Sequence, residues 1–320
     1  MKIALVTPAA PQSRSGNRNT TTRWAAMLRE LGHRVDIVTQ WNGKPADAML
    51  ALHARRSYGS IKRFARHHPD RPLIVTLTGT DLYHDIRVDA DAQESLCLAT
   101  RLIVLQDMGL HELSPAMAEK ARVVYQSAQP LEPQAPLKNG FEVCVIGHLR
   151  EVKDPLRAAY ALKYLPVTSK ICIKQMGSAL ESEMGRAAQA MMAEEPRYHW
   201  LGELAHWKVR KYLARSRVMV ISSRMEGGAN VVSEALMADV PVIASYVSGN
   251  IGMLGEDYPG YFPYGDERAL AELLSRVETD SAFLLLLQRH GRERKKRISA
   301  LQEKRSLAAI LREIQSDEVS

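Results

Sequence analysis

Short, continuously apolar runs alternate with longer segments of helical periodicity along the whole chain. Most of these runs lack the polar alternation of a half-exposed sheet, which is typical of strands buried on both faces of a parallel sheet. The predicted strands in the first half are Ile3–Thr7, Val35–Thr39, Leu73–Thr78, Leu102–Leu105 and Val123–Tyr125. Those in the second half are Val143–Ile146, Ile171–Ile173, Tyr198–Leu201, Val218–Ile221 and Val242–Ala244. The repeated strand–helix–strand order predicts an α/β fold with two doubly wound domains.

A proline-rich segment from Gln129 to Gly140 separates the two halves. Three prolines and a terminal glycine are typical of a stiff linker, so we predict domains at 1–135 and 140–290. Parallel sheets bind ligands beyond the carboxyl ends of their strands, which predicts a binding cleft between the domains. An apolar face at helical spacing predicts one more helix, from Ser299 to Gln315. That face comprises Leu307, Ile310, Leu311 and Ile314.

Composition agrees with a globular protein of two domains. The 320 residues exceed what one compact core usually supports, and 46% hydrophobic with 25% charged residues excludes disorder. No run reaches the roughly 18 apolar residues of a membrane helix, and Met1–Pro8 fits a first core strand better than a signal peptide. Cys97, Cys144 and Cys172 lack metal-ligand spacing, which favours reduced thiols. We expect a cytoplasmic protein without stable membrane association.

Charge favours anionic partners. The net charge is +7 and the sequence pI is near 9.3, a balance that suits nucleic acid and phosphorylated metabolites alike. The densest basic run, Arg289–Arg297, fits a solvated helix face. Only 6% of residues are aromatic, which leaves few rings for stacking on bases. Small-molecule substrates are therefore favoured over nucleic acid.

The strongest chemical signal is the segment Ser222–Leu236, which follows a predicted strand and opens a helix. Gly227 and Gly228 allow backbone N–H groups to approach a ligand, and a helix N-terminus favours phosphate. Asn230 can cap this helix, and Glu234, one turn further on, can accept two hydrogen bonds from a ribose diol. A capped turn in which Glu234 only complements the helix dipole explains the same residues equally well.

Glu226 and Glu234 are separated by seven residues, and this spacing resembles the E-x7-E motif of retaining GT-B glycosyltransferases, particularly family 4. The resemblance implies that the first glutamate and the amides after it face the donor sugar and diphosphate. It also implies that Glu234 holds the nucleotide ribose. The implied sugar- and phosphate-binding residues are Glu226, Gly227, Gly228, Ala229 and Asn230.

Three further segments match that family in the expected order. Gly147–Lys153 resembles its G-R-L-x-x-x-K segment, in which Lys153 matches the lysine that neutralises the donor diphosphate. His148 replaces the usual arginine, and Arg150 is the natural substitute for its charge. Pro8–Gly16 resembles the loop that closes over the donor, so that Gly16 joins the donor-binding residues. The segment that resembles the base-reading loop comprises Gly202, Glu203 and Leu204.

A finer resemblance is to the selenosugar synthases of selenoneine biosynthesis. That subfamily joins selenophosphate to the sugar of UDP-N-acetylglucosamine or a related donor, which forms a carbon–selenium bond and releases UDP. The segments that carry this resemblance are Gly16–Arg18, Thr78–Asp81, Gly147–Arg150, Met225–Asn230 and Gly249–Gly255.

One chemical detail agrees with the finer resemblance. Ordinary family members often carry His where this chain has Thr78, and an alcohol acceptor needs a base as it attacks. Selenophosphate is already anionic, so it needs positioning by cations and hydrogen-bond donors. Arg18 in the first helical turn stands against the helix dipole, which favours a functional role over a solvated one. The implied acceptor residues are Asn17, Arg18, Thr78 and Thr80, and the implied catalytic residues are Asn17, Arg18, Thr78 and Glu226.

The resemblance implies a GT-B fold of two Rossmann-like domains that face each other across a cleft. Residues 1–135 would receive the acceptor, 140–290 would bind UDP-N-acetylglucosamine or UDP-glucose, and 291–320 would pack back toward the first domain. It also implies catalysis without a metal or cofactor. Three alternatives remain: a conventional transferase acting on an alcohol, a UDP-sugar epimerase or hydrolase, and a basic nucleic-acid-binding protein with a degenerate sugar site.

Overall fold

The computed structural model describes residues 1–13, 15–137 and 140–317. Arg14, Lys138, Asn139 and residues 318–320, which fall in the predicted donor loop, linker and C-terminal segment, lie outside the described residues. The strands are β1 (Lys2–Val6), β2 (Arg34–Val38), β3 (Ala48–Leu52), β4 (Leu73–Thr76), β5 (Arg101–Val104), β6 (Ala121–Val123), β7 (Phe141–Ile146), β8 (Ile171–Met176), β9 (Tyr198–Trp200), β10 (Val218–Ile221), β11 (Val242–Ser245) and β12 (Tyr261–Phe262). The α-helices are α1 (Gly16–Glu30), α2 (Tyr58–His67), α3 (Ile86–Val88), α4 (Ala90–Leu98), α5 (Pro115–Glu119), α6 (Arg157–Ala161), α7 (Ser182–Glu194), α8 (His206–Arg215), α9 (Asn230–Met237), α10 (Ser248–Leu254), α11 (Glu267–Thr279), α12 (Ser281–Lys295) and α13 (Ala300–Asp317).

One compact unit comprises Met1–Ser127, Glu226–Ala229 and the described residues from Arg297 onward. Its six strands pair in parallel in the order β2-β1-β3-β4-β5-β6. Side chains of α1 and α13 pack on one face of this sheet, and those of α2 and α4 pack on the other. Both faces are covered, which confirms the prediction from the apolar runs. The predicted C-terminal helix is confirmed as α13, and its four apolar residues are buried.

Strand β3 is absent from the strands that the sequence predicts. Its residues Ala48–Leu52 are alanine, methionine and leucine, which individually favour helices over strands. The strand nevertheless lies between β1 and β4, and all five of its residues are buried. Burial within the sheet therefore overrides the local preference. The residue that follows β3, His53, is thereby placed at the carboxyl edge of the sheet.

The other unit comprises Ala128–Met225 and Asn230–Lys296. Its strands are also parallel, in the order β12-β11-β10-β7-β8-β9. The five predicted strands are confirmed, and β12 adds two residues at the edge, too few for a recognisable pattern. Residues 129–137 of the predicted linker contain no helix or strand. They lie against α8, where the guanidinium of Arg210 donates to the carbonyl of Pro130 at 2.7 Å.

Candidate active site

The turn after β4 is organised by one buried carboxylate. Oδ1 of Asp81 accepts the backbone N–H groups of Thr78 at 2.9 Å and Gly79 at 2.8 Å. Oδ2 accepts the N–H of Ala54, directly after the residue that follows β3, at 3.0 Å. Asp81 is fully buried, whereas Thr78 and Thr80 are half-buried. The carboxylate is therefore committed to holding the turn, and its Oδ1 also accepts the hydroxyl of Thr78 at 3.4 Å.

The segment Glu226–Ala229 belongs by its contacts to the same unit as this turn. A Cβ atom on Gly227 would lie 2.3 Å from the carbonyl oxygen of Thr78, and one on Gly228 would lie 2.5 Å from Cβ of Leu105. Only glycine allows so close an approach at both positions. The structure therefore brings two predicted catalytic residues, Thr78 and Glu226, into one neighbourhood, with Glu226 buried to 6% exposure.

Two of the predicted acceptor residues, Asn17 and Arg18, lie in the first turn of α1, where no acidic residue balances the positive end of the helix dipole. The hydroxyl of Ser15 accepts the N–H of Arg18 at 3.4 Å, and the first turn contains no acidic residue. Asn17 and Arg18 are half-buried. Among the contacts of the described residues, none joins either of them directly to Thr78 or Thr80.

In the other unit, the segment after β7 collects three of the predicted donor-binding groups. The ring Nδ1 of His148 lies 2.8 Å from the hydroxyl of Ser178 in a hydrogen bond. Burial lowers the pKa of His148, Glu203 raises it, and Arg150 and Lys153 lower it further. His148 is consequently neutral at neutral pH and adds no positive charge. Arg150 remains the predicted substitute for the charge of the family's arginine.

Lys153 ends a 3₁₀ helix, Glu151–Lys153, which is tied to the end of β10. The hydroxyl of Ser222 donates to the carbonyl of Asp154 at 2.7 Å, and the N–H of Arg224 donates to the carbonyl of Val152 at 2.9 Å. Asp154 has a φ of 43°, in the left-handed region, which closes the turn after the lysine. The segment after β10, which is distant in sequence, thus helps to set the position of the Lys153 backbone.

Helix α9 begins at Asn230, which therefore lies in the first turn. Glu234 follows one turn later, and its Oε1 lies 3.2 Å from Nε2 of His206 at the start of α8. Sequence reasoning missed His206, because nothing in its local pattern relates it to a residue in the next helix.

The loop predicted to read the nucleotide base follows β9. Gly202 has a φ of 66°, and its carbonyl accepts the N–H of Gly177 at 2.9 Å. Glu203 acts on the pKa of His148, which places this loop electrostatically beside the segment after β7. The positive φ explains why glycine occupies position 202.

The contact between His206 and Glu234 predicts a measurable titration. The hydrogen bond that His206 donates to the Glu234 carboxylate raises the pKa of His206 above its usual 6.5, against the opposing effects of burial and Arg210. We expect the histidine pKa, followed by NMR, to fall in a Glu234→Gln variant. Because the folded-state pKa is raised, the pair stabilises the fold below about pH 6.5, and this contribution is lost as pH rises through the raised pKa.

His199 provides the internal control for that titration. Burial and Lys174 lower its pKa, and Glu234 is not among the causes of its shift. The Glu234→Gln variant should therefore leave the His199 titration unchanged. An unchanged His206 pKa in the same spectra would show that the two side chains do not pair in solution.

The described residues contain neither a metal-binding cluster nor a membrane-spanning helix. No group of three or more His, Cys, Asp or Glu side chains there is placed to hold a metal ion. None of the helices in those residues is long and apolar enough to cross a membrane.

Two parallel, doubly wound sheets with flanking helices define the GT-B class of α/β proteins, and solved structures share the fold. HepE from Anabaena, in complex with UDP and glucose, matches with a TM-score of 0.79 at 15% identity, covering 98% of this chain and 100% of HepE. Sucrose-phosphate synthase from Thermosynechococcus elongatus matches with a TM-score of 0.80 at 16% identity, covering 99% of each chain. A glycosyltransferase from Rickettsia africae matches with a TM-score of 0.73 at 14% identity, covering 98% of each chain.

The family model described as "Glycosyl transferases group 1" matches residues 130–297, just over half of the chain. The chain therefore belongs to this family and is a glycosyltransferase, which confirms the coarser part of the resemblance. No curated protein matches the sequence at a significant level. The matched range includes Lys153, Glu226 and Glu234, the three residues with the most specific predicted roles.

Proposed function

We propose that this glycosyltransferase takes a UDP-sugar, UDP-N-acetylglucosamine or UDP-glucose, as donor and selenophosphate as acceptor. HepE, which shares the fold, binds UDP and glucose, and this supports the choice of donor. The E-x7-E spacing of Glu226 and Glu234 supports it as well. The resemblance of five segments to selenosugar synthases supports the choice of acceptor, together with the chemistry of the turn after β4.

The acceptor assignment rests on the hydrogen bonds that the Asp81 carboxylate accepts. Both of its oxygens accept backbone N–H groups, at distances of 2.8–3.0 Å. Asp81 is thus not available as a base for an alcohol acceptor. The hydroxyl of Thr78 donates to Oδ1 of Asp81 at 3.4 Å, and the hydroxyl of Thr80 is the group that would face the acceptor. Hydrogen-bond donors suit an acceptor that arrives with its negative charge already formed, as selenophosphate does.

The proposed transfer requires no base and no oxidant. A selenium lone pair of selenophosphate attacks C1 of the sugar, the bond between C1 and the β-phosphate oxygen breaks, and its electron pair leaves with UDP. The phosphoryl group stays on selenium in this step. Lys153, Arg150 and the N–H groups of Gly227–Asn230 would stabilise the charge that grows on UDP. Glu226 would orient the sugar hydroxyls and Glu234 would hold the ribose.

The experiment that tests this function is UDP release from UDP-N-acetylglucosamine or UDP-glucose with and without selenophosphate, with the sugar product followed by mass. We expect release that depends on selenophosphate and a sugar that contains selenium. Release with an alcohol acceptor alone would instead indicate a conventional transferase. Consumption of donor without any acceptor would indicate an epimerase or hydrolase, and either result would overturn the proposal.

A further inference from the structure

A buried histidine lies directly behind the turn that contains the proposed acceptor residues. His53 follows β3, is 3% exposed, and has a φ of 71° in the left-handed region. Its N–H donates to the carbonyl of Thr76 at 2.8 Å, and its carbonyl accepts the N–H of Ser57 at 3.0 Å. Residues other than glycine rarely adopt this φ, and those that do are concentrated at functional sites.

The contacts of the His53 ring determine which nitrogen carries the proton. The backbone N–H of Arg56 points at Nδ1 from 3.4 Å, so Nδ1 must accept a hydrogen bond. The nearest carboxylate oxygen, Oδ2 of Asp81, is 3.7 Å from Nδ1 and already accepts the N–H of Ala54. The proton of a neutral ring therefore lies on Nε2. That nitrogen is 3.3 Å from the hydroxyl of Thr80, to which it donates.

Burial lowers the pKa of His53, which favours the neutral ring at neutral pH. Asp81 and Asp85 raise this pKa, whereas Arg56 and Arg55 lower it. An imidazolium ring would also place a second N–H against the N–H of Arg56. Charge and geometry thus agree on a neutral ring with its proton on Nε2.

We propose that His53 is a positioning residue that fixes Thr80 as a hydrogen-bond donor toward an anionic acceptor. This inference rests on the proposed function, which supplies the negative charge of the acceptor. A threonine hydroxyl has one proton and two lone pairs, and one lone pair is taken by the Nε2–H of His53. The hydroxyl proton of Thr80 is then directed away from the ring, and the chain of two hydrogen bonds polarises it.

The same geometry argues against a relay in which His53 removes a proton. A base acting through Thr80 would need an unprotonated Nε2, and hence a proton on Nδ1. That proton would face the N–H of Arg56, and the nearest carboxylate oxygen, Oδ2 of Asp81, lies 3.7 Å from Nδ1, beyond hydrogen-bond distance. The arrangement therefore allows Thr80 to donate a hydrogen bond to an anion, but it does not allow His53 to remove a proton from an alcohol.

The tautomer can be tested without any substrate. We would label the histidines with ¹⁵N, assign the His53 ring by its loss in a His53→Asn variant, and record the ring nitrogens at neutral pH. Asparagine is chosen because it tolerates the left-handed backbone better than other replacements. We expect the neutral ring with its proton on Nε2. A proton on Nδ1, or on both nitrogens, would overturn the inference.

Kinetics test the positioning role. In His53→Asn and Thr80→Val we expect the KM for selenophosphate to rise about tenfold, the loss of one hydrogen bond to a charged group, with the KM for the UDP-sugar unchanged. In the double variant the KM for selenophosphate should rise no more than in Thr80→Val alone, because His53 has no hydroxyl left to orient. Thr80→Ser, which keeps the hydroxyl, should recover most of the affinity for selenophosphate that Thr80→Val loses.

The control is His84→Asn, which changes an exposed histidine on the π-helix that follows the turn. It should leave both KM values unchanged. Independent, multiplicative losses in the double variant, or an equal rise in both KM values, would overturn the positioning role. A wild type that releases no UDP with selenophosphate would overturn the proposed function, and the ring-nitrogen spectrum would still decide the tautomer on its own.

Discussion

Replacing Lys153 by alanine should lower kcat for UDP release about 100- to 1,000-fold. In the proposed transfer its ammonium faces the donor diphosphate, and the charge that it would oppose grows as the sugar departs. Removing one such preorganised contact typically has an effect of this size. The neutral His148 cannot compensate, which leaves Arg150 as the nearby cation. Steady-state kinetics of UDP release would measure the loss.

The matched control for Lys153→Ala is Lys163→Ala in the same unit. Lys163 is 58% exposed and lies 3.6 Å from Glu267 in a surface ion pair, which contributes at most about 1 kcal/mol to stability. We expect this variant to turn over as the wild type does. A Lys153→Ala enzyme with wild-type kcat would remove the lysine from the chemistry of the leaving group.

The parts of the site that depend on local spacing were predictable from the sequence. Helical periodicity places Asn230 and Glu234 one turn apart, and α9 contains both. The glycines at 227 and 228 predicted a close approach of the backbone to a ligand, whereas the close approaches in the structure are to Thr78 and Leu105. The spacing of Asn230 and Glu234 has its cause within the motif, whereas the partners of the two glycines are far away in the sequence.

His53 could not be predicted, because the strand that positions it was not recognised. The residues of β3 favour helices locally, and only burial between β1 and β4 makes them a strand. Without that strand, nothing places His53 at the sheet edge beside Thr80. The strained φ of His53 is likewise set by partners such as Thr76 and Ser57, which the local pattern does not connect to it.

The charge state of His148 and the partner of Glu234 were also beyond sequence reasoning. Ser178 bonds the ring of His148 from 30 residues away, and His206 reaches Glu234 from 28 residues away. A pKa depends on burial and on charges brought together by the fold. Sequence spacing can therefore identify a candidate titratable residue, but it does not determine the protonation state of that residue.

Glu303 on α13 is a further residue whose importance depends on distant partners. Its side chain is fully buried, and its oxygens accept Nε of Arg23 at 2.9 Å, Nε1 of Trp24 at 2.6 Å and the N–H of Ser127 at 3.0 Å. These contacts join α13 to α1 and to the segment after β6. The apolar face of α13 was visible in the sequence, whereas this polar anchor was not.

Replacing Glu303 by alanine should lower the free energy of unfolding by about 3–5 kcal/mol, because the Arg23 charge and two N–H donors lose their acceptor in a buried site. Urea unfolding followed by fluorescence and circular dichroism would measure it, with coincident transitions as the check on two-state behaviour. Glu313→Ala on the same helix is the control, since Glu313 is 35% exposed and its ion pairs with Arg101 and Arg122 contribute at most about 1 kcal/mol. An equal decrease in the free energy of unfolding in the two variants would mean that burial of the Glu303 carboxylate adds nothing to its role in holding α13.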